Sequence, residues 1–380
     1  MSKLSIKQKV GLELERQLRN NKKQLHPLRQ LFWECTLRCN LKCKHCGSDC
    51  KFEELTPDMP KEDFLRVIDE QITPHVNPHE VMIIISGGEP LVRKDIEEVG
   101  LALYKREYPW GMVTNGMALT EERFKRLCQS GLRSMAVSLD GMEEDHNWMR
   151  GHESSFKNAM RAIRLLAGQQ QVIWDVVTCV NNRNANYLSQ LKDVLYEAGV
   201  RDWRLFTIFP AGRAKQHPDL QISDEKFREV MEFIIACRKE GKVHASFACE
   251  GFLGEYEGKV RDHLYHCAAG ISVASILIDG NISACTSIRG KYYQGNIYKE
   301  NFWDVWENRF DSYRNRQWMK TGDCADCKMF RYCEGGGMHL RDEDGNLLLC
   351  HLKRLDISAI VGVSYEYKNI VTNLYVDYGF

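Results

Sequence analysis

Strand-like and helix-like segments alternate six times between residues 31 and 209, and that rhythm constrains the chain more than any other feature. Apolar runs recur at 31–35, 81–85, 111–114, 134–139, 172–178 and 203–209. Helical patterns fall between them, near 60–73, 95–107, 120–130, 153–168 and 184–198. Each opens on a cap or an acidic first turn, as at Thr120-Glu121-Glu122 and Asp95. Such alternation predicts an α/β fold with a parallel sheet. Six units are too few for a closed eight-stranded barrel. Parallel α/β folds bind ligands at the carboxyl ends of their strands, so the residues that follow each apolar run are the ones to weigh.

The first run leads into Cys39-Asn40-Leu41-Lys42-Cys43-Lys44-His45-Cys46, which puts three cysteines on one short loop. Four thiolates close a tetrahedral zinc site or ligate every iron of an iron–sulfur cube. Three leave one iron of a [4Fe–4S] cluster open to a reacting molecule. A zinc knuckle is the plainer alternative and needs a fourth ligand nearby, which His45 or Cys50 offers.

The C-x3-C-x2-C spacing resembles that of the radical S-adenosylmethionine (SAM) enzymes. The resemblance covers residues 28–236 and implies a partial (β/α)6 barrel of the TIM type. It also implies a [4Fe–4S] cluster on Cys39, Cys43 and Cys46 whose open iron chelates SAM. Reductive cleavage of SAM then yields a 5′-deoxyadenosyl radical that abstracts hydrogen from the substrate. Ser86-Gly87-Gly88-Glu89-Pro90, after the second strand, resembles the family's GGEP turn, which implies that Gly87, Gly88 and Glu89 hold the SAM amino group. Thr114-Asn115-Gly116 resembles its TNG loop, which puts Asn115 near SAM. By the same similarity Ser138 and Asp140 lie near the SAM carboxylate or ribose, and Arg150 pairs with the carboxylate. His45 stands where the family usually has an aromatic residue packed on the adenine. Within the family, the chain looks most like the rSAM/lipoprotein-system members.

Cysteines return after residue 236, where the alternation fades. Cys267 precedes an apolar stretch at 276–278, Asp279-Gly280 makes a tight turn, and Cys285 closes a hairpin. Cys324-x2-Cys327-x5-Cys333 and Cys350 follow. The set resembles the SPASM extension, which carries one or two auxiliary [4Fe–4S] clusters; either half alone also suits a zinc ribbon. By the resemblance Cys324, Cys327, Cys333 and Cys350 form a complete outer site. The inner site keeps Cys267 and Cys285, with Cys249, His266 and His339 as further candidates, because Gly337 stands where SPASM domains commonly have a cysteine. An open inner cluster, a lost one and a single twitch-type cluster all remain open. Cys35, Cys50, Cys128, Cys179 and Cys237 read as small hydrophobes, and Trp303 and Trp306 as packing on a short helix.

The expected domains are thus an N-terminal helix at 1–27, the partial barrel at 28–236, a SPASM-like region at 237–354 and a tail at 355–380 with no site pattern. The N-terminal helix is expected to lie on the surface through a weak stripe of Leu4, Val10, Leu14 and Leu18. Charge balances at 52 basic against 52 acidic residues, which gives no reason to expect a nucleic-acid partner. No apolar run of ~18 residues is present, so no membrane span is expected. The charged N-terminus lacks a signal-peptide core, and fifteen cysteines in 380 residues suit metal ligation in the cytoplasm better than a disulfide scaffold. The resemblance favours a peptide or protein substrate and an external one-electron reductant. The alternatives are a small-molecule substrate, such as a tetrapyrrole or quinone-cofactor precursor, and a non-catalytic metal-binding scaffold.

Overall fold

The computed structural model describes residues 4–356. The expected tail therefore lies almost wholly outside the described residues. An N-terminal helix α1 (Ile6–Leu25) precedes alternating β1 (Gln30–Thr36), α2 (Lys61–Val67), β2 (Met82–Gly87), α3 (Ile96–Lys105), β3 (Trp110–Thr114), α4 (Glu121–Gln129) and β4 (Leu132–Ser138). Then come α5 (Glu143–Arg150), α6 (Ser155–Ala167), β5 (Ile173–Val180), α7 (Leu188–Glu197), β6 (Asp202–Thr207), α8 (Asp224–Glu240) and β7 (His244–Phe247). The C-terminal region adds β8 (Val273–Ile276), β9 (Asn281–Ser283) and β10 (Gly295–Asn296).

The ten strands among the described residues form one sheet in the order β10-β9-β8-β1-β2-β3-β4-β5-β6-β7. Strands β1 to β7 pair in parallel, and β8 also pairs in parallel with β1, Gln30 against Val273. The β8–β9 and β9–β10 pairs are antiparallel. The strand-and-helix alternation therefore yields an open partial barrel, and the C-terminal hairpin is grafted directly onto its first strand. One parallel strand more than expected, β7, follows α8, and residue 236 falls inside that helix.

Three local differences from the sequence expectation matter for the site. An extra helix, α5, precedes α6 within the region expected to hold one helix, and Gly151 ends it with φ 70°. The pairing of β1 with β2 shifts register between Glu34 and Thr36, where the chain leaves the sheet toward the cysteine loop. Helix α1 does not rest on the expected stripe: Leu4 is buried, but Val10, Leu14 and Leu18 are exposed, and Leu12 and Arg19 face inward. It clasps the C-terminal region, Arg19 donating to the Tyr332 carbonyl at 2.7 Å and Lys23 pairing with Glu334 at 2.7 Å. No helix among the described residues is long and apolar enough to cross a membrane.

Candidate active site

The cysteine loop is fastened at both ends and along its middle. The Cys39 N–H donates to the Lys51 carbonyl at 2.8 Å, which closes the loop on itself. Lys42 and Lys44 N–H groups donate to the Arg150 and Met149 carbonyls at the end of α5. Arg213, from the turn after β6, reaches across as a clamp. Its backbone N–H bonds the Cys46 carbonyl at 2.9 Å, its Nε the Cys43 carbonyl at 2.8 Å and its Nη1 the Cys50 carbonyl at 2.8 Å. Nothing in the sequence marked Arg213; its acceptors are three backbone carbonyls and the Asp49 carboxylate, at 2.9 Å, which only the fold brings to it.

Gly87 and Gly88 let the next turn press against this loop. Gly87 has φ 140°, and a Cβ there would meet the Thr36 carbonyl oxygen at 2.1 Å; at Gly88 it would meet the Arg38 oxygen at 2.2 Å. Glu89 is buried and accepts from Thr114 Oγ1 at 2.7 Å, the Asn115 N–H at 2.7 Å and the Leu91 N–H at 3.1 Å. Burial pushes its carboxyl up against those bonds. The GGE turn and the TNG-like loop are thereby locked together, and Asn115 Nδ2 reaches the Cys39 sulfur at 3.9 Å.

Asp140 is the electrostatic centre of the other wall. Its Oδ2 lies 2.6 Å from Arg150 Nε and 3.5 Å from His45 Nε2, and its Oδ1 accepts from the Cys179 N–H at 3.0 Å. Burial pushes Asp140 up, but Arg150 and His45 overcome it and hold the carboxyl at about 2. Arg150 therefore spends its Nε on Asp140, and its Nη1 lies 3.7 Å from the Cys43 sulfur. Desolvation lowers His45 to about 4, so the imidazole is neutral near pH 7.

Cys39, Cys43, Cys46, His45, Gly87, Gly88, Glu89, Asn115, Ser138 and Arg150 all line one cavity of about 160 Å³, so the expected loop, turn and strand-end residues do meet. Cys50, read as a small hydrophobe, lines it too, and its hydrogen bond to Cys46 heads the causes that lower the Cys46 thiol to about 5. A larger cavity of about 570 Å³ adjoins, sharing His45, Cys46, Gly47, Ser48 and Gly87 and running to Met338, His339 and Arg341 in the C-terminal region. Cys179, also read as a small hydrophobe, lines this second cavity. Glu34 and Arg289 form its floor: buried Glu34 accepts from Arg289 and from the Ile278 N–H at 3.2 Å, tying β1 to the hairpin. Arg289 Nη2 donates onward to Ser48 Oγ at 3.0 Å.

In the C-terminal region Cys324, Cys327, Cys333 and Cys350 come together. Burial raises the Cys333 thiol, followed by the charges of Cys350, Cys324 and Cys327. Cys285 is raised by burial, with Cys267 adding to it. His266 turns away to Glu15 at 3.1 Å, whereas His339 lines the large cavity. The donor set suits cubes better than single ions. Thiolates sharing one zinc stand about 3.8 Å apart, as bonds of about 2.3 Å require. Among the described residues the one group of three or more Cys, His or acidic ligand atoms mutually within 4.8 Å is His45, Asp140 and Cys179. That group takes no cysteine from either cysteine field.

Comparison with known proteins agrees with this donor set. The family model described as the radical SAM superfamily matches residues 33–195, and the SPASM model, an iron–sulfur cluster-binding domain, matches residues 267–328. An AdoMet-dependent heme synthase of Methanosarcina barkeri is 27% identical over 81% of this chain and 90% of its own length. Mycofactocin maturase MftC of Mycolicibacterium smegmatis is 29% identical over 81% of this chain and 77% of its own. In fold, the chain is similar to anSMEcpe with bound AdoMet, with a TM-score of 0.67 at 20% identity over 91% of this chain and 99% of that one.

Proposed function

With a radical SAM domain and a SPASM domain in one chain, this protein is a radical SAM enzyme that uses iron–sulfur clusters and SAM, and we propose that it modifies a residue of a peptide or protein. Cys39, Cys43 and Cys46 hold the SAM-binding cluster by three thiolates. When bound, that cluster and SAM supply the electron and the 5′-deoxyadenosyl radical for hydrogen abstraction. The chain's own work is to bind, orient and exclude water. Glu89 keeps one acceptor direction beyond its three protein bonds, which suits the SAM amino group. Gly87 and Gly88 bring backbone amides to the same place, and Asn115 braces the Cys39 side. Arg150 and Asp140 fix the loop's far wall, with neutral His45 and Ser138 lining the space left for the nucleoside. Cys324, Cys327, Cys333 and Cys350 hold the outer auxiliary cluster. An external one-electron donor and the cytoplasm, where thiols stay reduced, complete the reading.

The observation that carries the peptide assignment is the large cavity. At about 570 Å³ it lies in the range for one drug-sized ligand. SAM would take the part beside Cys46, which would leave room for one side chain offered by a longer substrate. Lys215, Arg341, Asp342, Glu343 and Asp344 at its margins give a backbone and its neighbours polar partners. The maturase relative favours the same class. The heme synthase relatives favour a second reading, a tetrapyrrole substrate, at nearly the same identity. Anaerobic turnover with SAM and dithionite separates them. Peptides encoded beside this gene should change mass with matching 5′-deoxyadenosine release, and iron coproporphyrin should not; the reverse outcome transfers the assignment to the tetrapyrrole.

A further inference from the structure

Arg341 stands between the large cavity and the outer quartet. It lines that cavity, and its Nη2 lies 3.4 Å from the Cys324 sulfur. The local chain dictates this position. A bridge between Arg341 and Leu347 fixes the backbone, and the side chain folds inward until the residue is 6% exposed. Nη1 donates to the Gly345 carbonyl at 2.7 Å. Nη2 shares its protons among the Cys324 sulfur, the Gly335 carbonyl at 3.3 Å and the Met319 carbonyl at 3.4 Å. Gly335 makes room for this fork: its φ is 82°, and a Cβ there would meet Met319 Cβ at 2.8 Å and Arg341 Nη2 at 3.0 Å.

Two features go beyond what packing requires. Among the described residues none of Arg341's hydrogen-bond partners is a carboxylate. Arg354, equally buried at 6%, pairs with Asp224 at 2.8 Å. The Arg341 Nε is also buried and finds no hydrogen-bond partner among the described residues. A purely structural arginine of the same region behaves differently: Arg314 places Nε, Nη1 and Nη2 on the carbonyls of Gly270, Glu307 and Trp306. A buried cation without a counter-charge is strongly unfavourable. A [4Fe–4S] cube held by four thiolates carries net negative charge, which is the charge that this guanidinium lacks.

We propose that Arg341 is a positioning residue that sets the potential of the outer cluster from the wall of the large cavity. Its cation lies against the Cys324 ligand, and a positive donor at a ligand sulfur favours the reduced, more negative form of a cluster. The outer cluster is therefore easier to reduce than its four thiolates alone would make it. The residue responsible is also one that an occupant of the cavity can touch. The proposal rests on the reading of Cys324, Cys327, Cys333 and Cys350 as a cluster site, and it holds for a peptide and for a tetrapyrrole alike.

Redox titration of the full, cluster-loaded chain by electron paramagnetic resonance tests it. The outer cluster is the reduced signal that Cys327→Ala removes, and the barrel cluster is the signal lost when Cys39, Cys43 and Cys46 are changed to Ala. Arg341→Gln should keep the native iron content and lower the outer midpoint, making reduction at least tenfold less favourable, a shift of about 59 mV for one electron. The barrel midpoint should stay at its native value. Arg341→Lys keeps the cation and should shift the outer midpoint less. An unmoved outer midpoint in Arg341→Gln, or an equal shift at the barrel cluster, overturns the proposal. If Arg341→Gln alone loses the outer iron, Arg341→Lys decides: a lowered midpoint upholds the proposal and a native one overturns it. Loss of that iron in both variants overturns it too, because Arg341 then only builds the loop. Absence of any signal removed by Cys327→Ala in the native chain refutes the outer site itself, and the proposal with it. None of these readouts uses turnover, so failure of the substrate assignment leaves them untouched.

Discussion

The barrel draws its three proposed cysteine ligands from a single loop, whereas the proposed outer quartet spans residues 324–350 and stands on separate turns. In the first site the fold fastens the loop backbone through Arg213, the Lys51 carbonyl and the end of α5. In the second, Cys333 ends the short helix Phe330–Cys333 and Cys350 opens another at His351–Leu355, with loops between. The region is held from outside by Arg19 and Lys23 of α1, and within it Arg341 Nη2 reaches the Cys324 sulfur at 3.4 Å. The difference teaches that metal loss should have different consequences on the two sides. The barrel site is preorganised by protein, and on the proposed reading its cluster would serve chemistry. On the same reading the C-terminal site would be organised largely by its own ligands, so its cluster would contribute folding energy.

The comparison breaks most visibly if the two kinds of variant behave alike. Changing Cys39, Cys43 and Cys46 together to Ala should abolish 5′-deoxyadenosine release while the melting temperature barely moves. Cys327→Ala should remove the outer cluster, lower the melting temperature markedly and open the 324–350 segment to proteases; equal melting shifts for the two variants contradict the contrast.

The sheet and the first site were legible because each is written locally. Period and length gave the strands, and one loop gave the thiols. Helix α5 was hidden because His146, Met149 and Arg150 are its buried residues, two of them polar, so no apolar stripe marks it. Helix α1 misled for the same reason, since an inward Arg19 carries its docking while Val10, Leu14 and Leu18 face solvent. Glu34 and Arg289 are 255 residues apart, and no local pattern joins them. Cys50 and Cys179 looked like ordinary small hydrophobes until the fold turned them toward the cavities.

Arg213→Ala sharpens the claim of preorganisation. Each lost charge-assisted hydrogen bond costs on the order of 1.5–3 kcal/mol. SAM affinity, read by calorimetry, should fall roughly tenfold to a hundredfold, and chelators should strip the first cluster faster than the outer one. An unchanged affinity reduces Arg213 to an incidental contact.

The smallest effect is a pH dependence on the barrel side. His146 is fully buried and neutral, its Nδ1 accepting from the Asp140 N–H at 2.9 Å and its Nε2 lying 2.9 Å from Ser155 Oγ. Desolvation first, then Arg150, lowers it to about 3, against about 6.5 in an unfolded chain. Between those values the unfolded chain holds the extra proton. The contribution is therefore complete above about pH 6.5 and lost as pH falls, by about 1.4 kcal/mol per pH unit. Anaerobic urea unfolding at pH 7 and 5.5 should show this slope in the native protein and a shallower one in His146→Asn.

Electron–nuclear double resonance on the reduced protein with SAM labelled by ¹⁵N at its amino group and ¹⁷O at its carboxylate tests the central claim most directly. Both nuclei should couple to the cluster on Cys39, Cys43 and Cys46, and both couplings should vanish in the triple variant while the auxiliary signals persist. Absence of coupling in the native protein with all its clusters loaded, or its survival in the triple variant, contradicts the account.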